Sequence, residues 1–255
     1  MITSNSNEKI KQLAKLLKST KYRKEEHVFV VEGIRMFREI PEHCRKQTYI
    51  TNDCYEVHQA EFEGISYEIV SDYVMKSLSD TKNPQGILSL VTYMEHDISK
   101  IRNGNRILIL ENIQDPGNLG TMIRTAEAGG IDGIIMSHDT VDIYNSKTVR
   151  ATMGSVFRIP FCYTEDIRKE IELLKQANVE VYGADLEGSN VYACHFQEPF
   201  AFCIGNEGNG LSQALLDVLT KKVTIPMMGN VESLNAATAA TVLIYEALRQ
   251  RNFTI

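Results

Sequence analysis

Three short segments carry residues whose type and spacing suit chemistry on an anionic or nucleotide-like ligand. The first, ENIQDPGNLGTMIRTAEAGG at 111–130, follows the apolar run RILIL. Asp115-Pro116-Gly117 reads as a turn and Asn118 as an N-cap, with Arg124 about two turns into a helix that Gly129-Gly130 stops. A strand, a glycine-bearing turn and a helix start form an anion site, although an ordinary strand-to-helix turn with a solvent-facing arginine reads the same. The second, FCIGNEGNGLSQALLDVL at 202–219, sets Glu207 as the only ionisable group among Gly205, Asn206, Gly208, Asn209 and Gly210, with Ser212 capping the next helix. Such a backbone either approaches a ligand closely or is simply a long flexible loop. The third, IPMMGNVESLNAATAATVLIYEALRQR at 225–251, makes a turn at Gly229-Asn230. Ser233-Leu234-Asn235 then opens a helix dense in small residues, suited to close packing.

The elements that must hold these segments follow from the apolar periodicity. Residues 10–17 place Ile10, Leu13, Ala14 and Leu17 on one helical face, with lysines at 11, 15 and 18 elsewhere. Apolar runs at 27–33, 47–51, 67–70 and 86–93 alternate with helical patterns, which predicts a small α/β domain over residues 1–95. The polar stretch MEHDISKIRNGN predicts a linker over 96–105. A second set of strands at 106–110, 133–137, 156–163, 179–184, 200–205 and 222–226 is nearly continuous in apolar residues, so residues 106–255 predict a parallel sheet covered on both faces. Ligands of such sheets bind beyond the carboxyl ends of the strands. The three segments lie there.

Composition narrows the classes. Five scattered cysteines with no C-x-x-C pair argue against a zinc ribbon or a disulfide scaffold and for a reducing, cytosolic compartment. No apolar run approaches the ~18 residues of a membrane span, and no convincing set of metal ligands stands out. The net charge of -6 argues against a nucleic-acid partner, but it is unevenly spread. Residues 1–46 hold eleven basic and six acidic side chains, a net of +5, which leaves -11 for the rest. A basic head on an acidic body is either a handle for an anionic partner or a solvated helix face.

Taken together, the segments resemble the three motifs of the SpoU/TrmH branch of the SPOUT RNA methyltransferases. Asn118, Gly120, Arg124, Ala126 and Gly130 match the first motif, and Gly205, Glu207, Gly210 and Leu211 the second. Ile225-Pro226-Met227, Gly229, Ser233-Leu234-Asn235, Ala239 and Tyr245-Glu246 match the third. The first third is similar to the substrate-binding domain attached to many such enzymes. The resemblance implies transfer of the methyl group of S-adenosylmethionine to a ribose 2′-hydroxyl of RNA, rRNA before tRNA. It also implies a deep trefoil knot, a homodimer with a shared active site, and no metal.

By the same resemblance Gly183, Ala184, Gly205, Asn206, Glu207, Ile225, Met227, Ser233 and Leu234 hold the cofactor. Arg124 belongs to the active site, with Asn118, Glu207, Ser233 and Asn235 orienting it and the ribose. A guanidinium is effectively always protonated, so an electrostatic role for Arg124 suits it better than that of a base. Lys11, Lys21, Arg23, Lys24 and Arg35 of the basic head are the expected RNA contacts. Two other classes stay open: an RNA-binding relative without catalysis, and a Rossmann-type nucleotide enzyme. The latter lacks its G-x-G-x-x-G fingerprint and acidic partner.

Overall fold

Asn7 starts the first helix of the computed structural model by accepting the Lys9 amide through its side chain, giving α1 (Glu8–Lys18) with Ile10, Leu13 and Leu16 buried. Ala14 and Leu17 are only partly buried against the same cluster. The structure describes residues 1–252. They fall into two compact units, residues 1–95 with 142–157, and residues 96–141 with 158 onward.

In the first unit α1 is followed by α2 (Thr20–Glu26), β1 (Val28–Glu32), α3 (Ile34–Glu39), β2 (Arg45–Ile50), α4 (Asn52–His58), β3 (Tyr67–Ile69), α5 (Asp72–Leu78) and β4 (Ile87–Thr92). The strands form one sheet in the order β1-β4-β2-β3, with β1 and β2 antiparallel to β4 and β3 parallel to β2. The alternation of strand and helix expected for residues 1–95 is thus observed.

The second unit begins with α6 (Ile98–Arg102), β5 (Arg106–Leu110), α7 (Pro116–Ala128) and β6 (Gly133–Ser137). The chain then contributes 142–157, including α8 (Ser146–Thr152), to the first unit. It resumes with β7 (Phe161–Thr164), α9 (Ile167–Gln176), β8 (Glu180–Asn190), β9 (Phe200–Ile204), α10 (Gln213–Leu216), β10 (Lys221–Thr224) and α11 (Ala236–Asn252). Six parallel strands run in the order β10-β8-β9-β5-β6-β7. Ile107, Ile109, Ile135, Val181, Ala201 and Cys203 are fully buried in one core against this sheet. Strands of a two-sided parallel sheet read as unbroken apolar runs for this reason.

Several expectations need correction. The 96–105 segment is not a free linker: Asp97 caps α6 by accepting the Ser99 amide, and Ile101 joins the core of the second unit. By contacts residues 142–157 group with the first unit, where Tyr144 packs against Phe29 and Tyr93 and α8 lies against β1. The last three residues of the expected 106–255 domain lie outside the described residues. The 156–163 strand shortens to Phe161–Thr164, since Ser155–Phe157 forms a 3-10 turn; Pro160 between them has no amide to donate to a ladder. Arg23 also departs from expectation, being only 2% exposed. Its guanidinium donates to the Leu16 carbonyl at 2.5 Å, to Thr20 Oγ1 at 2.9 Å and to Asp142 Oδ2 at 2.6 and 3.0 Å. An arginine committed in this way is a structural ion pair and not an RNA contact.

Candidate active site

The site grows from the carboxyl ends of three adjacent strands. Because β5 lies beside β9, the segments that follow them are neighbours, and the Glu111 amide donates to the Ile204 carbonyl at 2.9 Å. After β5 the chain turns at Asn112, whose positive φ of 54° is one that asparagine tolerates. Asp115, not Asn118, then caps α7 by accepting the Asn118 amide at 2.7 Å, with Pro116 at the first helical position. Asn118 is thereby released from capping, and its side chain reaches outward.

After β9 comes a loop that is tied down throughout. Asn206 and Gly210 exchange two backbone hydrogen bonds at 3.0 and 2.9 Å. The Asn206 carboxamide accepts from the Gly208 and Asn209 amides and donates to the Asn112 carbonyl at 2.8 Å. Gly210 has φ of +67°, which favours glycine, and a Cβ on Gly205 would come within 2.2 Å of the Gly210 backbone, so that position requires it. Ser212 caps α10, and its amide and hydroxyl donate to the Glu111 carboxylate at 2.7 and 2.6 Å.

Glu207 is the junction of the three motifs. Its carboxylate accepts from the Gln114 amide at 3.1 Å, the Asp115 amide at 3.0 Å and Asn118 Nδ2 at 3.1 Å. Asn118 Oδ1 in turn accepts Asn235 Nδ2 at 2.9 Å, while Asn235 Oδ1 caps α11 through the Ala237 and Thr238 amides. The expected helix from Ser233 therefore starts at Ala236. Partial burial raises the Glu207 pKa, but the Asn118 bond and the two amides outweigh it and hold the carboxyl below its ordinary value. Glu207 is an ionised anchor, not a poised acid.

The small residues of α11 serve packing inside the unit. Ala237, Ala240, Leu243, Ile244 and Ala247 are buried, and a Cβ on Gly129, the C-cap of α7, would meet Ile244 Cγ2 at 2.2 Å. This close α7–α11 approach carries Asn118 and Asn235 to one another.

Beside the junction lies a cavity of about 480 Å³. Its Asp185 side comes from a register break between β8 and β10: Lys222 pairs with Gly183 and Val223 with Ser189, so residues 184–188 loop out. Gly188 presses on Val223, where a Cβ would come within 2.5 Å of backbone. Ala184, Gly205, Asn206, Glu207, Ile225, Met227, Ser233 and Leu234 all line this cavity, together with Asp185 and Lys222. Gly183 does not: it lies within β8, where a Cβ would strike Leu219 at 2.2 Å. Apolar walls from Leu211, Ile225, Met227 and Leu234, backbone polar groups at the glycine loop and charged groups at the rim fit an adenosyl group joined to a zwitterion.

Of the expected catalytic residues, Asn118, Glu207, Ser233 and Asn235 share one open concavity with Gln114 and Asp115. Arg124 stands apart. It is exposed on α7 and has no hydrogen-bond or ion-pair partner among the described residues. In the first unit Lys11, Lys21, Lys24 and Arg35 are exposed, Lys11 beside Glu8 at 2.8 Å and Lys21 beside Glu25 at 3.9 Å. The Gln114 and Asp115 amides, Glu111 and the 184–188 excursion escaped sequence reasoning. Only their position just after strands could have signalled them. Burial raises the thiols of Cys54 to about 11 and Cys162 to about 12 and pushes Cys203 up further, so none of these is an activated nucleophile. No group of three or more His, Cys, Asp or Glu side chains among the described residues is arranged to hold a metal. No helix of the described residues is long and apolar enough to cross a membrane.

Known proteins are similar to this chain in sequence and in fold. The chain is 34% identical over 246 residues, 96% of its length and 97% of the relative's, to the 23S rRNA (guanosine(2553)-2′-O)-methyltransferase RlmP of Bacillus subtilis (strain 168). The SpoU methyltransferase AviRb of Streptomyces viridochromogenes, solved in complex with AdoMet, superposes with a TM-score of 0.86 at 28% identity, over 96% of this chain and 98% of that one. An AdoMet-bound rRNA methyltransferase from Sinorhizobium meliloti gives 0.83 at 30% identity over 99% and 98%. The MRM3-like substrate binding domain model matches residues 7–89. With the model of the SpoU rRNA Methylase family matching residues 105–245, across all three segments joined at Glu207, the chain belongs to that family.

Proposed function

We propose that this protein transfers the methyl group of S-adenosylmethionine to a ribose 2′-hydroxyl of 23S rRNA. The observation that carries the reading is the Glu207–Asn118–Asn235 junction at the mouth of a cavity suited to the cofactor. The relatives named above, an rRNA 2′-O-methyltransferase and two AdoMet-bound structures, support it. The deep trefoil knot implied by the resemblance of the three segments belongs to the same reading.

When bound, the cofactor supplies an electrophilic methyl group on a sulfonium. The chain's residues do the rest. Ala184, Gly205, Asn206, Ile225, Met227 and Leu234 hold the adenosyl moiety against apolar walls and backbone amides. Glu207, fixed by two backbone amides, holds Asn118 in one rotamer, and Asn118 holds Asn235. This rigid edge, with the Ser233 hydroxyl, would position the ribose and hold its 2′-hydroxyl beside the cavity, the main contribution of a preorganised site. Arg124 grips the target phosphate and stabilises the negative charge that develops on the ribose oxygen as its proton passes to water.

An exposed, unpartnered Arg124 favours a homodimer in which α7 of one copy serves the site of the other. The first unit binds the RNA, with Lys11, Lys21, Lys24 and Arg35 as phosphate contacts, and the enzyme acts in the cytoplasm. The deciding experiment is transfer of a tritiated methyl group to unmodified 23S rRNA. Incorporation at one ribose is expected. Affinity for S-adenosylmethionine without any incorporation into 23S rRNA overturns the reading, and purely monomeric sedimentation at micromolar concentration overturns the shared site.

A further inference from the structure

A second cavity, of about 270 Å³, is lined only by residues of the first unit and shares none with the cofactor pocket. Its walls come from two distant stretches: Glu32, Arg35, Asn83 and Gln85 on one side, and Arg150 and Met153 of the 142–157 segment on the other. The segment that departs from the expected catalytic domain therefore has a visible task in building this cavity.

The groups here are unusually available. Arg150 Nη1 is buried and has no hydrogen-bond partner among the described residues; Glu32 Oε2 is 4.0 Å away, too far for a hydrogen bond. Glu32 is engaged through its other oxygen, which accepts from the hydroxyls of Ser79 and Thr81, the latter at 2.9 Å. Gln85 Oε1 accepts the Ile34 amide at 3.0 Å, which fixes the carboxamide so that its Nε2 is the end left to donate. Gly33, at φ of +96°, makes this possible, because a Cβ there would lie 3.0 Å from Gln85 Oε1. Met153 takes a left-handed φ of 51° and remains 41% exposed, an apolar surface beside the polar groups.

Two guanidiniums against one carboxylate give the cavity a positive balance. A planar group with polar edges would find here a fixed amide donor, the Asn83 carboxamide, a guanidinium nitrogen with no hydrogen-bond partner among the described residues and a thioether wall. Single-stranded RNA is read in this way, by unstacked bases hydrogen-bonded on their edges and packed on arginine or apolar faces. We propose that this cavity is a recognition subsite for one unpaired nucleotide of the RNA substrate, with Arg150, Gln85 and Asn83 reading the base and Arg35 holding its phosphate. The proposal rests on the RNA methyltransferase reading above and adds a specificity site to it.

The test compares the full-length wild type with Arg150→Ala, Arg150→Lys, Arg35→Ala and Asn83→Ala. The probes are unmodified 23S rRNA and short single-stranded and double-stranded RNAs. Arg150→Ala is expected to raise KM for rRNA and weaken single-strand binding roughly tenfold or more. Both kcat and affinity for S-adenosylmethionine should stay within about twofold, and Arg150→Lys should recover only part of the loss. If Arg150→Ala lowers the melting temperature, the exposed positions Arg35 and Asn83 carry the test, with smaller shifts in the same direction. Unchanged KM and affinity in all the folded variants overturns the subsite. Equal dependence on Arg150 for the double-stranded probe overturns base reading. A wild type that binds rRNA but never methylates it overturns the preceding reading, while the variants still decide this one through affinity.

Discussion

Two arginines on two helices show how little a residue type says without its surroundings. Arg23 of α2 lies in the basic head and looks like an RNA contact, yet it is buried against Asp142 and the end of α1. Arg124 of α7 belongs to the acidic body, yet it faces outward with no partner among the described residues. The basic region spends a charge on its own fold, whereas the acidic region leaves one exposed and unpaired among the described residues. Arg23→Ala tests the first half of the contrast and should have the largest effect. It strands the Asp142 carboxylate and costs about 3–5 kcal/mol, seen as a fall in the urea midpoint of the full chain. The double variant that also replaces Asp142 with Asn should recover part of that loss; an Arg23→Ala chain as stable as wild type breaks the comparison.

Arg124→Ala tests the other half. With no intramolecular partner to lose, stability should change by less than about 0.5 kcal/mol. Methyl transfer should fall by about 10²- to 10³-fold, the scale of one lost electrostatic stabiliser. Affinity for S-adenosylmethionine should be nearly intact, since Arg124 does not line the cavity. Single-turnover methylation alongside calorimetric cofactor titration separates the two quantities, and near-wild-type turnover would remove Arg124 from the active site.

What was legible in the sequence follows the range of the interactions involved. The run RILIL became β5 at Arg106–Leu110 without adjustment, because a strand buried on both faces is apolar at every position. Glu207 and Asn235 stood out because few residue types suit a glycine loop or a helix entry. Local spacing could not reveal that Asp115 displaces Asn118 as the cap of α7. Both side chains are competent, and the choice is made by Glu207, far along the chain, which takes Asn118 as a donor. The same limit hid the fate of Arg23, whose partner Asp142 lies in a segment that the alternation of elements assigns to the other domain. Charge counted along the chain registers that arginine as available, and only tertiary contact shows it as spent.

The Glu207 junction permits a sharper comparison, between a group held in place and a group left free. Glu207→Ala leaves the Gln114 and Asp115 amides and Asn118 without their acceptor. At an exposed site this should cost about 1–2 kcal/mol and loosen the cofactor loop. The hydrogen bonds hold the folded carboxyl below its ordinary value of 4.5, so its stabilisation is fully present above 4.5 and is lost as pH falls through the lower folded value. Cofactor affinity that weakened between neutral pH and 4.5 through this group would contradict the sign of the shift. Glu207→Gln should restore packing but not the charge-assisted bonds, and its affinity should fall between those of wild type and Glu207→Ala.

The smallest effects belong to the exposed lysines of α2, which flank Arg23 in sequence. Lys21 is 85% exposed and 3.9 Å from Glu25, an arrangement worth little to stability. If Lys21 and Lys24 neutralise phosphates, replacing each with Ala should weaken rRNA binding a few-fold at low salt. The slope of log affinity against log salt should then fall by about 0.7–0.9 for every phosphate left unneutralised. An Arg23→Met chain that still folds should keep the wild-type slope, because a buried guanidinium releases no counterions from RNA. A slope that falls in Arg23→Met but not in Lys21→Ala or Lys24→Ala would mean that Arg23 is exposed to RNA in solution, and the distinction between spent and available charge would have to be redrawn at α2.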